Sequence, residues 1–132
     1  MLLQLIHQHA AAYSAADKDG VLGVQNVAGS GQSKLYTEAW WNYTYVGRAG
    51  AESYMVSAEF DAGVAKLGAQ YTDVSVRPTN AANNEDMTEV TLTASKSFGP
   101  LDATLAYVST DADDQNAGSQ YNTVQAYLTL NF

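Results

Sequence analysis

The chain has 132 residues, enough for one domain with a sizeable core, and its lack of cysteine excludes a disulfide scaffold and a cysteine-based metal site. Six basic residues against fourteen acidic ones give a formal net charge of −8, so no nucleic-acid partner is expected, because phosphate binding needs a basic footprint. No apolar run approaches the ~20 residues of a membrane-spanning helix, so a membrane location would require a closed barrel.

The amino-terminal segment, residues 1–33, is predicted to form a partial strand followed by a loop. A strand leading up to Tyr13 and a short helix through the neighbouring alanines both fit its mixed pattern, and four glycines interrupt residues 17–33. No basic residue precedes the first apolar run, and Gln4 and His7 cut that run short, so it does not resemble a signal peptide. For an exported protein, we therefore expect an internal or carboxy-terminal piece of something longer.

An all-β architecture is predicted for residues 34–132, because apolar and polar residues alternate with period two along most of this part. The clearest case is 122–132, in which every second residue from Val124 to Phe132 is apolar. The predicted strands are 34–46, 51–60, 64–73, 88–98, 102–111 and 122–132. Short turns at 61–63 and 99–100 alternate with long polar loops at 74–87 and 111–121. This pattern indicates an antiparallel up-and-down meander of about six strands.

The predicted strand at 34–46 disturbs the alternation of short and long connections. It is the most aromatic part of the chain and has the composition of a strand. However, the preceding residues 17–33 are long and loop-like where a short turn is expected. Either residues 1–33 are out of register with the other strands, or the Trp40–Trp41 pair is partly loop.

Two rows of aromatic residues are predicted on the apolar faces of the strands. The three phenylalanines of the chain end strands that run towards the short turns, and three tyrosines lie nearer the long loops. These six residues are Phe60, Phe98, Phe132, Tyr54, Tyr71 and Tyr107. Aromatic rows near both ends of tilted strands of about ten residues are typical of the two interfaces of a bilayer. The pattern predicts a transmembrane β-barrel segment with a membrane-interface girdle.

A soluble antiparallel sandwich, in which two apolar faces meet, is the alternative. Uniform strand lengths, alternating connections and apolar faces with no charge at mid-strand favour the barrel. Lys96 is the awkward residue, because it falls on the apolar parity. Either its long side chain reaches the membrane interface near Phe98, or a local bulge changes the parity.

Four stretches resemble a known family: SKLYTEAWWN at 33–42, QYTD at 70–73, SKSFGPL at 95–101 and YLTLNF at 127–132. Residues 34–132 are similar, through these stretches, to the Campylobacter-type major outer membrane porin family. The resemblance implies a trimeric general porin of the bacterial outer membrane, with a charged constriction that passes small hydrophilic solutes. It also implies contact with outer-membrane lipid and lipopolysaccharide, and recognition of the carboxy-terminal strand by the barrel-assembly machinery. Because such porins have about 16 to 18 strands, the chain would be a fragment that supplies roughly a third of the barrel wall.

Charged residues expected to point into the lumen are the candidates for tuning ion selectivity. The candidates on strands are Glu52, Glu59, Lys66, Glu89 and Asp102, and those flanking the Trp40–Trp41 pair are Glu38 and Arg48. The second group is chosen because a loop that folds into the pore would need such residues. The alternative for each is ordinary polar filling of a water-filled interior. Together with the acidic balance, the candidates predict passive diffusion of small solutes and ions with a preference for cations.

No catalytic, cofactor or metal site is predicted, and an enzyme is not expected, because no nucleophile set, phosphate loop or buried carboxylate pair can be assembled. His7 and His9 lack a third ligand. The acidic loop from Asp111 to Gly118 resembles a calcium loop only faintly, because Asn122 stands where the glutamate at the twelfth position belongs. The competing functional hypothesis is a small soluble or surface-attached β-domain, an adhesin or structural protein, that binds through the aromatic residues of 34–46.

Overall fold

The computed structural model of the chain describes residues 7–19, 37, 39–77 and 85–132. Six strands form one antiparallel sheet in the order of the chain, which confirms the predicted all-β meander. They are β1 (His7–Ala15), β2 (Ala51–Asp61), β3 (Lys66–Val76), β4 (Met87–Phe98), β5 (Leu101–Ala112) and β6 (Tyr121–Leu130). Within the described residues β1 and β6 are the two edges, so the sheet is not closed. None of the helices in this part of the chain has the length and apolar character needed to span a membrane.

The strand pairing is continuous along all five ladders, with one residue opposite one residue. Consecutive side chains therefore point to opposite faces without interruption. Lys96 stands opposite Ala103 in this register, so the ladder that contains it has no bulge. Its ammonium group lies 5.4 Å from the centroid of the Phe98 ring, which is within the range of a cation–π contact. The long side chain thus lies at the end of the sheet that carries the short turns.

Short and long connections lie at opposite ends of the sheet. Residues 62–65 and the pair Gly99–Pro100 form the short-turn end. Gly63 and Gly99 have φ angles of +79° and +62°, which glycine adopts without the steric cost of a Cβ atom. Residues 16–50, 77–86 and 113–120 connect strands at the other end, here called the long-loop end. The predicted alternation of connections is confirmed.

The predicted strand at 34–46 is wrong in its described part. Residues 39–42 have no regular structure, and Tyr43–Gly47 forms a short 3-10 helix. The strand propensity of the aromatic residues is overridden because the backbone N–H groups of Trp41 and Asn42 donate to a side chain, that of Glu89, instead of a neighbouring strand. β1 pairs directly with β2, so the described residues 39–50 belong to the connection between these two strands at the long-loop end. The Trp40–Trp41 pair is loop.

The two faces of the sheet differ in chemistry and in cover. One face, here called the polar face, carries mostly hydroxyl, amide and charged side chains. Where it reaches the long-loop end it also carries the buried core, which consists of Ala39, Tyr45, Val46, Ala51, Val74, Val76, Met87 and Ala112. The other face, here called the apolar face, leaves large side chains exposed: Tyr54, Val56, Val90, Leu92, Leu105, Tyr107, Val124, Leu128 and Leu130. No described element covers the apolar face.

Candidate functional site

Residues 39–48, here called the covering segment, lie against the polar face near the long-loop end. Their main anchor is the carboxylate of Glu89 on β4, which is only 1% exposed. Its Oε1 atom accepts a hydrogen bond from the backbone N–H of Trp41 at 2.8 Å. Its Oε2 atom accepts from the backbone N–H of Asn42 at 3.0 Å and from Asn42 Nδ2 at 2.8 Å. A buried carboxylate is costly unless such donors surround it, so Glu89 and the segment stabilise each other's position.

Asn42 extends this network across the sheet. Its Nδ2 group also donates to Thr110 Oγ1 on β5 at 3.1 Å, and approaches the Tyr121 hydroxyl on β6 at 3.4 Å. Its Oδ1 atom accepts from Gln115 Nε2 at 3.0 Å, and the same Nε2 group donates to the Tyr45 hydroxyl at 2.9 Å. One amide therefore joins the covering segment to β5, β6 and the 113–120 loop.

Arg48 and Tyr45 fix the other end of the covering segment. The Arg48 guanidinium forms ion pairs with Glu85 and, at 3.2 Å, with Asp114, and it lies 3.8 Å from the centroid of the Tyr45 ring. The Tyr45 hydroxyl donates to Asp114. Burial and this hydrogen bond raise the pKa of Tyr45 to about 12. Burial also raises the pKa of Asp114, but the hydrogen bonds from Tyr45 and Arg48 outweigh it, so the pKa lies below its usual value.

The residues around Gly50 attach the segment to the strand ends. The Gly50 N–H donates to Asp17 O at 3.2 Å, and the Arg77 N–H donates to Gly50 O at 3.1 Å. Gly50 has a φ of +77°, and a Cβ atom at this position would lie 2.5 Å from Arg77 O. The path of the chain at Gly50 therefore requires glycine. Thr37 adds a further attachment, because its hydroxyl lies 2.6 Å from that of Ser14 on β1.

The two tryptophans have different environments. The Trp40 indole N–H donates to Gln125 Oε1 on β6 at 3.2 Å, and its ring meets that of Tyr127 edge to face, with the centroids 6.0 Å apart. Trp41 is 49% exposed and contributes its backbone N–H to Glu89. Trp40 therefore packs along the polar face of β6, whereas the Trp41 ring lies at the surface.

Of the seven charged residues proposed to line a pore, the six that the structure describes do not lie together. Glu59 and Lys66 are exposed on the polar face towards the short-turn end, and Glu89 is buried beneath the covering segment. Asp102, also on the polar face, accepts hydrogen bonds from Ser97 and from Asn131 Nδ2. Arg48 belongs to the ion pairs at the long-loop end, and Glu38 lies outside the described residues.

Glu52 lies on the face opposite to the one expected. It stands across from Ala15 on β1 and Ser75 on β3, and in the uninterrupted ladder it shares its face with Tyr54 and Val56. The physical reason is the period of two along β2, since an even-numbered residue here cannot face the same way as Glu59. Glu52 is exposed at the edge of the apolar face near the long loops.

The proposed aromatic girdle lies on the apolar face. Phe60 and Phe98 are exposed at the short-turn end, and Phe132 follows two residues after the last residue of β6. Tyr54 and Tyr107 are exposed nearer the long-loop end. The rings of Tyr54 and Tyr71 have centroids 6.0 Å apart. The structure thus separates a phenylalanine row from a tyrosine row along the strands.

Sequence reasoning missed the neutral residues that hold the covering segment. Asn42, Gln115, Tyr121 and Gln125 form its network. The only signal in the sequence was the polar parity of Gln125 on its strand, because Gln115 and Tyr121 lie in a predicted loop and Asn42 in the wrongly predicted strand. The Asp111–Gly118 loop, considered for calcium, contributes Asp114 to Arg48 and Tyr45. In the part of the chain that the structure describes, no three His, Asp or Glu residues lie close enough to hold a metal ion.

Comparison with known proteins adds no assignment to this geometry. No family model matches the sequence, and neither a curated protein nor a solved structure matches it significantly. What the site can do must therefore be argued from its own chemistry.

Proposed function

We propose that the chain forms part of the wall of a bacterial outer-membrane porin, through which small hydrophilic solutes and ions diffuse passively. The observation that carries the proposal is the inverted polarity of the sheet. Its apolar face has no cover in the described residues, while its polar face holds the buried network and the covering segment. A transmembrane barrel needs this arrangement, with apolar side chains towards lipid and polar ones towards a water-filled lumen.

The apolar face gains most from a lipid environment. Leu105 and Leu128 are 54% and 71% exposed, and full burial of a leucine side chain contributes about 1.5–3 kcal/mol. In water these side chains would form a contiguous exposed apolar surface, which monomeric soluble proteins rarely carry. A hydrocarbon environment removes that cost without any second protein layer.

Strand length and aromatic placement favour the same function. β2 to β6 have 10 to 12 residues each, close to the ~9–11 residues with which a tilted strand crosses a bilayer. The phenylalanine row at the short-turn end and the tyrosine row nearer the long loops match the positions of two membrane interfaces. In this arrangement the short turns face the periplasm and the long loops face outwards.

Closure of the barrel requires strands beyond these six. The outer edges of β1 and β6 carry backbone groups that must be paired within a membrane, so we propose that they join the remaining wall of a larger barrel that assembles as a trimer. The covering segment then lies inside the lumen and narrows it. Exposed Glu59 and Lys66 lie, together with Asp102, on the open part of the polar face. The two carboxylates outnumber the one ammonium group there, which favours cations.

Membrane extraction and conductance test the proposal. The chain is expected to require detergent for solubility. The complete barrel that contains it is expected to migrate differently in electrophoresis before and after heating, and to produce conductance steps in planar bilayers. The Glu59→Gln variant is expected to shift the reversal potential towards weaker cation preference, with Glu52→Gln, on the apolar face, as the matched control. A monomer that is soluble in plain buffer would overturn the proposal and favour a soluble or surface-attached β-domain with an adhesive or structural role.

A further inference from the structure

A small recess opens on the polar face beside the covering segment, apart from the network around Glu89. It has a volume of about 140 Å³ and lies over β2, β3 and β4, with Trp40 at its border. We propose that this recess binds a neutral polyhydroxylated solute, a monosaccharide or polyol, against the Trp40 indole. The inference rests on the proposed function, because it names the class of solute that would pause on the lumen side of the wall.

The position of Trp40 is fixed before any ligand arrives. Its indole N–H donates to Gln125 Oε1, and the Tyr127 hydroxyl donates to the same oxygen. The edge-to-face contact with the Tyr127 ring, at an interplanar angle of 75°, limits rotation of the indole. The main anchor of the covering segment is Glu89, which accepts from Trp41 and Asn42, so the segment keeps its three hydrogen bonds to Glu89 when the Trp40 ring is replaced. A rigid aromatic surface binds a ligand with little loss of conformational entropy.

The depth of the recess depends on Gly68. This residue stands opposite Glu59 on β2 and Thr93 on β4, and a Cβ atom on it would lie 2.5 Å from Thr93 Oγ1. A glycine within a strand weakens the sheet and commonly marks a place where another group approaches the backbone closely. Here the absent side chain opens the floor of the recess between the Glu59 and Thr93 side chains.

The lining favours hydroxyl groups over ions. Its polar side chains are two threonine hydroxyls, a serine hydroxyl, an amide and a carboxylate: Thr91, Thr93, Ser57, Gln70 and Glu59. Thr91 is only 1% exposed, so the other four are the groups that can donate to and accept from several hydroxyls of one ligand. No lysine or arginine is among the lining residues, so an anion lacks a counter-charge. A single carboxylate is also a poor cage for a divalent cation, which takes several charged or carbonyl oxygens.

The Trp40 ring supplies the remaining part of the chemistry. A sugar ring has a face of C–H groups that packs against an aromatic surface, while its hydroxyls point outwards towards polar side chains. Ligand sites generally combine such an apolar surface with a few directed polar groups. The combination of Trp40 with the four accessible polar side chains is the reason for choosing a polyol over a purely polar or purely apolar molecule.

Ligand-detected saturation-transfer NMR on the full chain in detergent micelles tests the inference, with glucose as the probe. For about twelve non-hydrogen atoms the expected dissociation constant is on the order of millimolar. Trp40→Leu is expected to weaken binding by about tenfold or more, and Thr93→Val by a smaller factor. Trp41→Leu is the matched control and is expected to bind glucose as the unaltered chain does, because the Trp41 ring does not line the recess.

Three outcomes would overturn the inference: no saturation transfer to glucose, equal binding by the unaltered chain and Trp40→Leu, or displacement of glucose by potassium chloride. The micelle experiment does not require conductance, so the two proposals fail separately. Conductance without glucose binding removes only the polyol site. Glucose binding by a chain that is a monomer soluble in plain buffer removes the porin and leaves the recess as a binding site of a soluble β-domain.

Discussion

The two faces of this sheet follow from the same alternation with period two, but the polar face is partly buried and the apolar face is exposed. On the polar face the covering segment buries Glu89, Thr91 and Thr110, all at or near 1% exposure. On the apolar face Leu92 and Leu105 remain half exposed. A soluble sheet packs its apolar face and hydrates its polar face. In this sheet the covering segment lies over the polar face, and large apolar side chains of the other face are exposed in the described residues.

A second contrast lies within the polar face. Glu59 and Glu89 are both acidic residues whose side chains point to this face, but Glu59 is exposed while Glu89 is buried and accepts three N–H groups within 3.0 Å. Glu89 lies beneath the covering segment and Glu59 lies beyond it. The polar face is therefore divided into a structural half and an open half, and residue type alone does not distinguish them.

The largest effect is expected from a charge placed on the apolar face. Leu105→Lys is expected to make folding into lipid less favourable by about 2–4 kcal/mol, the cost of a lysine near the bilayer midplane. Thr104→Lys, on the same strand but on the polar face, is expected to change it by less than about 0.5 kcal/mol. Urea titration in lipid vesicles measures both. Equal losses, or a more soluble and stable Leu105→Lys protein, would contradict the lipid-facing role.

Removal of the anchor beneath the covering segment is expected to have the next largest effect. Glu89→Ala leaves the N–H groups of Trp41 and Asn42 without their acceptor, which costs about 2–3 kcal/mol. Trypsin is then expected to cleave after Arg48 much faster. Glu59→Ala serves as the control, and its stability and cleavage rate should stay close to those of the unaltered chain. If both variants resist trypsin equally, Glu89 does not hold the segment.

A smaller difference in stability is expected between alanine substitutions at two glycines with similar φ angles, +77° at Gly50 and +79° at Gly63. Gly50→Ala adds a Cβ atom 2.5 Å from Arg77 O in a left-handed conformation, whereas Gly63→Ala meets no atom within 4 Å. Both variants carry the left-handed strain of about 1 kcal/mol, and Gly50→Ala is expected to lose roughly another 1 kcal/mol through the clash with the backbone. Urea midpoints compare them. Equal losses would show that the strand ends yield to the added methyl group.

The smallest effect concerns the hydrogen bond from Tyr45 to Asp114 at the long-loop end, and it depends on pH. Tyr45→Phe removes the hydrogen bond to Asp114 and should cost about 1 kcal/mol at neutral pH. The pKa of Tyr45 is raised from 10.0 to about 12 in the folded chain, so the fold favours the neutral phenol. The stability linked to this pKa is fully present below pH 10 and is lost as the pH rises towards about 12.

Unfolding free energies of the unaltered chain and Tyr45→Phe, measured from pH 8 upwards, test this effect. The difference between them should stay constant up to about pH 10 and shrink above it. A difference that does not change with pH would mean that burial and the hydrogen bond to Asp114 do not raise the pKa of Tyr45 in the folded protein.

The strands and their faces could be predicted from the sequence because alternation is a local property. β2 to β6 lie close to the predicted ranges, and the short turns at Gly63 and Gly99 follow from residues that tolerate a positive φ. Glu52 contradicts the prediction that it points into the lumen, because its even position in the period-two alternation of β2, and not its charge, decides its face. For the segment that contains β1, the mixed pattern fits either a strand or a short helix, and only the pairing with β2 decides between them.

The path of the covering segment was decided only by tertiary contacts. Trp41 meets Glu89 across 48 residues, and Trp40 meets Gln125 across 85. The composition of residues 34–46 is that of a strand. However, the backbone N–H groups of Trp41 and Asn42 donate to the buried carboxylate of Glu89 and not to a neighbouring strand. A pattern of single residues holds no information about such a partner. The sequence by itself determined two chemically opposite faces, and the tertiary structure decided which of them is covered, because a buried carboxylate must be surrounded by donors from elsewhere in the chain.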